Sequence, residues 1–575
     1  MKRFFKLLEL DRKEITYIYI YAIFAGLITL SIPLGVQAII GLIAGGALSA
    51  SLIILVAVVT LGTALSGILK VMQLTVTETI QRRIFSRSAF DLAYRIPRLR
   101  LDGLSSYYPP ELVNRFFDTL TLQKGIPKIL VDFSTALLQI LFGLLLISFY
   151  HPTFMFFGFG LVVILIVIFR FTGPGGLQTS LKESTYKYKV AHWLEEIARS
   201  VTTFKLSGGA SLSLKETDSL VCQYLDRRRD HFRILLFQYG SIVVFKALVT
   251  ASLLLLGSYL VIQNQINIGQ FVAAEIVIIL VMASVEKLIL SMETIYDVLT
   301  ALEKLGTVTD LPLEPHEGVV FEEIDRGQGM ELFAEDVSFT YPGNDKPTLD
   351  QLSLVLHTGE KVCLAGYNGA GKSTLIQIVA GLLTHFQGVL TYNGSPFHSL
   401  DVDSLRRHIG DYCSQEDIFQ GSITDNITLG NPKITTEKVI KVATELGLAP
   451  FVQRLPHGYQ TMLMPEGRNV PQHIRSKIIL ARSIASDPRL LAIESVFHSL
   501  EPKDRICVVD ALTDRNKPWT LLAVSNDPMI ASRCDRVLIM KAGKIICEGT
   551  FEDIQGTEHF RKVFRAETSE TFTES

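Results

Sequence analysis

Charged residues are scarce in this chain: Asp, Glu, Lys and Arg make up only 19% of its 575 residues, and the mean hydropathy is +0.32. Both values are unusual for a soluble protein and indicate a membrane protein with a soluble part. The formal net charge is −2, so no basic excess suggests a nucleic-acid partner. None of the six cysteines has a metal-type spacing, which argues against a zinc site.

Long apolar runs, by contrast, fill the first half of the chain. Since about 20 apolar residues span a bilayer core, each run is long enough to cross a membrane. The six runs are roughly Tyr17–Ile43, Leu52–Val76, Leu130–Phe149, Phe154–Phe171, Ile234–Ile262 and Ile268–Leu290. They predict six transmembrane helices, preceded by an amphipathic helix over the first ten residues.

The connections between the apolar runs alternate in length and charge. Three are short and carry no Lys or Arg, namely residues 44–51, 150–153 and 263–267. The other two are long and basic, and we interpret their basic clusters as anchors at the membrane edge. Because Lys and Arg mark the cytoplasmic side, we expect a multi-pass protein of the bacterial inner or plasma membrane, with everything after the sixth run in the cytoplasm.

The two long connections show apolar residues at helical spacing, so we predict helices that extend beyond the membrane. Each pair should be joined by a short transverse segment, near Pro109–Phe117 and near Ala210–Leu214. A few polar residues interrupt the apolar runs: Gln37, Gln139, Lys246, Glu275 and Glu286. Such residues face a cavity or a partner, and for Glu275 a transport pathway and a plain inter-helix hydrogen bond remain open.

The second half of the chain carries the pattern of a phosphate-binding loop, from Gly366 to Thr374. An apolar run that predicts a strand precedes it and a helical pattern follows it, which is the context that the motif requires. We therefore predict that a nucleoside triphosphate binds here, with Lys372 at the terminal phosphates and Ser373 on Mg²⁺. The predicted phosphate-binding residues are Gly366, Asn368, Gly369, Gly371, Lys372, Ser373 and Thr374.

These patterns divide the chain into four parts. Residues 1–310 form a transmembrane domain with long cytoplasmic helical loops, and the Pro-, Glu- and Gly-rich residues 311–329 form a linker. Strands alternate with helices over residues 330–564, which predicts an α/β nucleotide-binding domain. The polar residues 565–575 are expected to be a disordered tail.

Six spans with two long cytoplasmic loops, followed by a phosphate-loop domain, resemble a half-transporter of the ATP-binding cassette (ABC) exporters over almost the whole chain. The resemblance implies an α-helical membrane domain with six transmembrane helices and an α/β P-loop domain, with ATP and Mg²⁺ as cofactors. It also implies a dimer, either a homodimer or a heterodimer with a second half-transporter, and possibly an accessory export protein. Each nucleotide would lie between the phosphate loop of one subunit and the signature motif of the other.

Several positions match the family pattern. Tyr341 matches the aromatic residue that stacks on adenine, and Gln415 matches the glutamine that contacts Mg²⁺ and senses the membrane domain. Glu494 falls on the Mg²⁺-associated aspartate, so the resemblance implies a metal site of Ser373, Gln415 and Glu494.

Three other elements of the family depart from its pattern. The signature Leu-Ser-Gly-Gly-Gln falls on Val470, Pro471, Gln472, His473 and Ile474. Pro471 brings neither a hydroxyl nor an N–H group, and the next two residues place side chains where the backbone should approach phosphate. Ser495 replaces the glutamate that polarises the attacking water, and Asn526 replaces the switch histidine. If the register is slipped by one, Glu494 becomes the base and Ile493 replaces the aspartate.

An intact phosphate loop beside three altered motifs predicts an exporter subunit that binds ATP and couples dimerisation of the nucleotide domains to export, with weak or absent hydrolysis. The alternative is an ATP-gated or structural membrane protein without hydrolysis, in which nucleotide is only a ligand. The sequence leaves the exported substrate open.

Overall fold

The computed structural model describes residues 2–44, 50–101, 109–206, 210–314, 317–412, 418–494 and 496–568. The chain divides into two compact units: Met1–Arg98 with Ser106–Leu311, and Leu99–Ser105 with Pro312–Ser575. We describe each unit by itself.

The described part of the first unit is helical. Its helices are α1 (Lys2–Glu9), α2 (Arg12–Ala44), α3 (Ala50–Arg95), α4 (Pro109–Asn114), α5 (Asp118–Ser148), α6 (Pro152–Arg199), α7 (Val201–Leu206), α8 (Ala210–Ile262) and α9 (Ile268–Thr309). Six helical segments, counted over the described residues, are long and apolar enough to cross a membrane. The six predicted transmembrane helices are therefore confirmed.

Local capping explains where two of these helices begin. The His151 side chain accepts a hydrogen bond from the Thr153 N–H group, and Pro152 occupies the first turn of α6, where its missing N–H group is not needed. At the start of α9, Asn267 and Gln270 form a reciprocal capping box with hydrogen bonds of 2.7 and 2.8 Å. These polar caps end the short connections between the apolar runs.

One of the two predicted transverse segments is misplaced. The first agrees with α4 and a short 3₁₀ turn over Arg115–Phe117. The second prediction, Ala210–Leu214, is wrong, because these residues begin the long helix α8 and the short helix α7 lies before them. The chain has Gly208 and Gly209 between α7 and α8, and glycine disfavours helix continuation.

The described residues of the second unit form three sheets. Its strands are β1 (Leu332–Phe339), β2 (Leu349–Leu356), β3 (Lys361–Gly366), β4 (Gln387–Tyr392), β5 (Ser395–Pro396), β6 (Ile409–Tyr412), β7 (Gly421–Ser422), β8 (Met462–Leu463), β9 (Leu490–Glu494), β10 (Thr520–Val524), β11 (Arg536–Lys541) and β12 (Lys544–Gly549). The central sheet has the order β12-β11-β3-β10-β9-β6 and is parallel except for β12. An antiparallel sheet has the order β2-β1-β4-β5, and β7 pairs with β8.

Helices connect these strands. They are α10 (Lys372–Val379), α11 (Val402–Arg406), α12 (Ile423–Thr428), α13 (Thr436–Glu445), α14 (Ala449–Gln453), α15 (Gln472–Ala485), α16 (Pro502–Thr513), α17 (Pro528–Ala531), α18 (Phe551–Gln555) and α19 (Glu558–Thr568). Strands β3, β9 and β10 are buried along their whole length, as expected for a parallel sheet covered on both faces. Val524 pairs with Leu364 on one side and Glu494 on the other, so these three strands end at one edge.

The segment predicted as a linker packs into the second unit from Pro312 onward. Phe321 is fully buried, and its N–H group donates to Ser404 Oγ at 2.8 Å. Asp325 accepts hydrogen bonds of 3.0 and 3.1 Å from the Arg489 guanidinium, which comes just before β9. Described residues of this segment are thus structural parts of the domain that follows it.

Replacing Arg489 by lysine should lower the free energy of unfolding of this domain by about 1–2 kcal/mol. Lysine cannot donate the two hydrogen bonds that the Arg489 guanidinium makes to the Asp325 carboxylate. Burial raises the pKa of the Asp325 carboxyl, but hydrogen bonds from Arg489 and the Gly327 N–H group lower it below its usual value. The stabilisation is therefore present above the carboxyl's unfolded-state pKa and is lost as the pH falls through the lower, folded-state pKa.

Thermal unfolding of the purified full-length chain near neutral pH would measure this effect. Arg326→Lys is the matched control, since Arg326 meets Glu331 at 3.5 Å in an exposed pair that should contribute little. Equal melting temperatures for Arg489→Lys and Arg326→Lys would contradict the prediction.

Candidate nucleotide-binding site

The predicted phosphate loop connects the end of β3 to the start of α10. Gly371 has φ +95°, and a Cβ atom there would lie 2.7 Å from the Thr348 carbonyl oxygen. A Cβ on Gly366 would lie 2.5 Å from the Met540 carbonyl oxygen. Since neither position has room for a side chain, both glycines are required for the loop to fold tightly against the neighbouring strands.

The Lys372 ammonium group folds back over this loop. Its Nζ donates to the carbonyl oxygens of Gly366 and Tyr367, each at 2.9 Å. The loop N–H groups and the N-terminus of α10 favour an anion at the same place. Lys372 is therefore positioned to exchange these carbonyl oxygens for phosphate oxygens.

Glu494 at the end of β9 lies beside the first turn of α10. The Ser373 hydroxyl donates to Glu494 Oε1, and the Glu494 side chain is buried, with a relative exposure of 6%. Its other oxygen, Oε2, is also buried and has no hydrogen-bond partner among the described residues. Because an unpaired buried carboxylate oxygen is unfavourable, a cation fits this place.

The oxygen donors of Ser373 and Glu494 would suit a Mg²⁺ ion held jointly with a nucleotide. Mg²⁺ prefers oxygen ligands and takes one or two protein groups with phosphate oxygens and water. Ser373 and Glu494 supply two such oxygens. Within the described ranges no cluster of three or more His, Cys, Asp or Glu residues could hold a metal alone. Bound Mg²⁺ would supply positive charge at the phosphates.

Asn526, two residues after β10, holds the first glycine of the loop. Its Oδ1 accepts from the Gly366 N–H group at 3.0 Å, and its Nδ2 donates to the Gly366 carbonyl oxygen at 3.3 Å. The amide carries a donor and an acceptor side by side and satisfies both backbone groups of one residue. Asn526 therefore braces the loop from the neighbouring strand.

Tyr341 follows β1 and is half-buried beside α10. Its hydroxyl lies 3.2 Å from Thr374 Oγ1 and donates to Gln377 Oε1 at 3.4 Å. Its ring meets the edge of Phe339 at 4.9 Å between centroids. The structure thus brings Tyr341 to the phosphate-loop helix.

Residues 470–474 lead into α15, which begins at Gln472. Pro471 is the N-cap, with φ −60° and ψ 153°, and makes no side-chain capping hydrogen bond. Pro471 and Gln472 are exposed, His473 is half-buried, and Ile474 is buried in the core. The exposed tip of this helix therefore offers neither a hydroxyl nor an N–H group at residue 471.

Sequence reasoning also missed a contact that Tyr367 of the loop makes. The Tyr367 hydroxyl lies 3.3 Å from His559 Nδ1, on the C-terminal helix α19. Tyr367 occupies a free position of the motif, so the pattern carried no signal for it. Gln415 and Ser495 both lie outside the described residues, and Asn368 is exposed on the loop.

Two family comparisons match the two units. The ABC transporter transmembrane region matches residues 15–285, and the ABC transporter family matches residues 349–494. The chain belongs to the ABC transporters. It is an integral, multi-pass membrane protein with a C-terminal nucleotide-binding domain.

This ABC transporter chain is similar to several curated proteins. It is 26% identical to the alpha-hemolysin translocation ATP-binding protein HlyB of Escherichia coli O157:H7 over 63% of this chain and 51% of that protein. It is 26% identical to the transport/processing ATP-binding protein ComA of Streptococcus pneumoniae (strain ATCC BAA-255 / R6) over 77% of this chain and 62% of that protein. The chain thus spans only about half to three fifths of the length of these relatives.

The fold of this ABC transporter is that of an exporter. The structure of a bacterial Atm1-family ABC exporter with ATP bound aligns with a TM-score of 0.84 over 98% of this chain and 99% of that chain. The sequences are 17% identical, so this likeness shows the fold alone. The predicted fold class is confirmed.

Tyr341→Ala should weaken ATP binding about 5- to 150-fold, because stacking of one base on an aromatic ring contributes about 1–3 kcal/mol. Tyr341→Phe keeps the ring and loses only the contacts to Thr374 and Gln377, so its affinity should stay within about threefold. Equilibrium titration of the full-length ABC transporter with a fluorescent ATP analogue measures both. If Tyr341→Ala bound as tightly as Tyr341→Phe, adenine would not stack at this position.

Proposed function

We propose that this chain is one half of an ABC exporter that binds ATP with Mg²⁺ and hydrolyses it slowly or not at all. The observation that carries the proposal is the pairing of a complete phosphate loop with an altered signature. Lys372, Ser373 and Glu494 converge on the loop, whereas Pro471 stands at the tip of α15. The loop supports binding, and the changed tip supports poor turnover.

The Glu494 contact supports one of the two registers left open by the sequence. A carboxylate hydrogen-bonded to the phosphate-loop serine stands where the Mg²⁺-associated aspartate is expected. Ser495 then occupies the position of the general base. A serine hydroxyl cannot accept the proton of an attacking water near neutral pH without activation.

Two subunits would share each nucleotide in the proposed exporter. The phosphate loop of one chain would face residues 470–474 of the other, or the signature of a different half-transporter. Loss of one hydrogen-bond donor to the γ-phosphate typically lowers the rate about 10²–10³-fold. Loss of the general base typically lowers it about 10²–10⁴-fold. Both composite sites should therefore turn over slowly, while ATP binding still drives the nucleotide domains together and couples this to export.

The relatives support export as the use of this binding. HlyB carries the name of a translocation protein and ComA that of a transport/processing protein. Since this chain spans part of their lengths, the exported substrate and any accessory export protein are not carried over from them.

Nucleotide recovered from the protein tests the proposal. The purified full-length chain in lipid nanodiscs would be mixed with Mg²⁺ and ATP, collected by rapid filtration, and extracted within about 10 s, which is about 100 turnovers of an enzyme that works at a typical ~10 s⁻¹. We expect stoichiometric nucleotide that is mostly ATP, with much less bound when EDTA removes Mg²⁺. Recovery of mostly ADP would show efficient hydrolysis, and recovery of no nucleotide would overturn ATP binding.

The altered signature also favours a second candidate: an ATP-gated or structural subunit that moves no substrate. The two candidates differ in the chain that co-purifies from native membranes. An ABC half-transporter with an intact signature supports the exporter, whereas a complex without any second ABC chain, in which ATP changes conformation but nothing is exported, supports the alternative.

A further inference from the structure

Helix α9 leaves one face uncovered in the first unit. It packs against α2, α5, α6 and α8, and most of its apolar residues are buried there. From Phe271 to Leu290, the positions that stay at least partly exposed recur at helical spacing: Phe271, Val272, Glu275, Ile276, Ile279, Leu280, Ala283, Glu286, Lys287 and Leu290. Three of these ten residues carry charge, inside one of the apolar runs of the sequence.

The flanking helices add further polar groups to this face. Lys246 on α8 forms an ion pair with Glu286 at 2.7 Å, and Asp132 on α5 pairs with Lys287 at 2.8 Å. These four side chains are 21–44% exposed, so the pairs stand at the surface of the helix bundle.

Glu275 and Glu286 both fall within the length of a membrane span that would start at Ile268. At 1.5 Å per residue, Glu275 is about 10 Å and Glu286 about 27 Å along α9 from its start at Ile268. The hydrocarbon core is about 30 Å thick. A charge there is unfavourable unless it faces a partner or a water-filled cavity.

Helix α3 shows what a lipid-facing surface looks like in the same molecule. From Leu52 to Leu69 it has no charged residue, and Leu61 and Ile68 are 70% and 57% exposed. Ile279 on the open face of α9 is similarly exposed, at 61%, but stands between Glu275 and Glu286 on that face. The two exposed surfaces therefore suit different surroundings, lipid for α3 and water for α9.

We propose that the open face of α9, with the Lys246–Glu286 and Asp132–Lys287 pairs, lines a water-filled path for a substrate that carries charged groups of both signs. Paired charges can exchange partners with such a substrate, whereas a hydrocarbon chain would leave them unsatisfied. This inference rests on the proposed transport function and names the substrate class of that function. It does not depend on ATP hydrolysis.

Accessibility to charged reagents tests this path. Single cysteines at Ile279 and Leu61 would be introduced into the full-length chain after its six native cysteines are replaced. In nanodiscs without nucleotide, the cationic MTSET and the anionic MTSES should both modify Ile279→Cys at least tenfold faster than Leu61→Cys. The proposal would be overturned if neither charged reagent modified Ile279→Cys faster than Leu61→Cys while the uncharged N-ethylmaleimide did. That result would show that the open face of α9 is not in contact with water.

A second variant tests whether the ion pair belongs to the path. Glu286→Gln removes one negative charge and leaves Lys246 unpaired. Glu286 is about 10 Å along α9 from position 279, and a unit charge at that distance changes an interaction in water by roughly 0.4 kcal/mol. The effect has opposite sign for the two reagents, so the ratio of MTSES to MTSET rates at Ile279→Cys should rise at least threefold. An unchanged ratio would remove the pair from the path. Because neither measurement uses nucleotide, failure here differs from failure of the ATP-binding proposal.

Discussion

Restoring the missing groups is expected to raise the ATPase rate of the purified chain at least about 10³-fold. The variant combines Ser495→Glu with Pro471→Ser, Gln472→Gly and His473→Gly. In a homodimer, each nucleotide site that the two subunits share would regain a general base and a hydrogen-bond donor to the γ-phosphate. The base is worth about 10²–10⁴-fold in rate and the donor about 10²–10³-fold. They do not add, because both groups act on one transition state. Phosphate release from the chain in nanodiscs measures the rate.

Variants that restore only one of the two groups separate the effect of the general base from that of the signature. Ser495→Glu alone and the three signature substitutions alone should each give a smaller increase, and Ser495→Gln, which has the size but not the basicity of glutamate, should give none. The claim of impaired catalysis would be abandoned if the unaltered chain already turned over as fast as the restored variant.

Lys372→Ala is expected to weaken ATP binding about 30- to 1,000-fold. The ammonium group would otherwise make charge-assisted hydrogen bonds to the phosphates, and the loss corresponds to about 2–4 kcal/mol. Titration of the full-length chain with a fluorescent ATP analogue in the presence of Mg²⁺ measures the affinity.

Lys544→Ala is the control for this change. Lys544 forms an exposed ion pair with Asp350 at 2.9 Å, which should contribute little to stability. Since Lys372 also holds the loop carbonyls, the melting temperature of each variant shows whether the domain is still folded. A folded Lys372→Ala chain with unchanged affinity would remove the phosphate loop from the binding site.

The parts of the molecule that the sequence predicted well are those set by local patterns. The six spans follow from the length of the apolar runs, and the loop from Gly366 to Thr374 follows from a motif between a strand and a helix. The misplaced second transverse segment shows the limit of this reasoning, because helical spacing alone does not tell which turn of a long helical run breaks.

Contacts between distant segments could not be predicted in the same way. The Lys246–Glu286 pair joins two helices whose relative rotation is set by packing, and a single sequence does not give that rotation. The two hydrogen bonds from Asn526 to Gly366 depend on the strand order of the central sheet. The sequence identified Asn526 only as a departure from a pattern, and the structure shows what it contacts.

The brace on Gly366 suits an amide side chain in particular. The two ring nitrogens of a neutral imidazole point in diverging directions, so histidine at 526 could not serve both the N–H group and the carbonyl oxygen of one residue. Asn526→His would therefore give up at least one of the two hydrogen bonds to Gly366. The asparagine thus ties the first glycine of the loop to β10, the strand that ends two residues before Asn526.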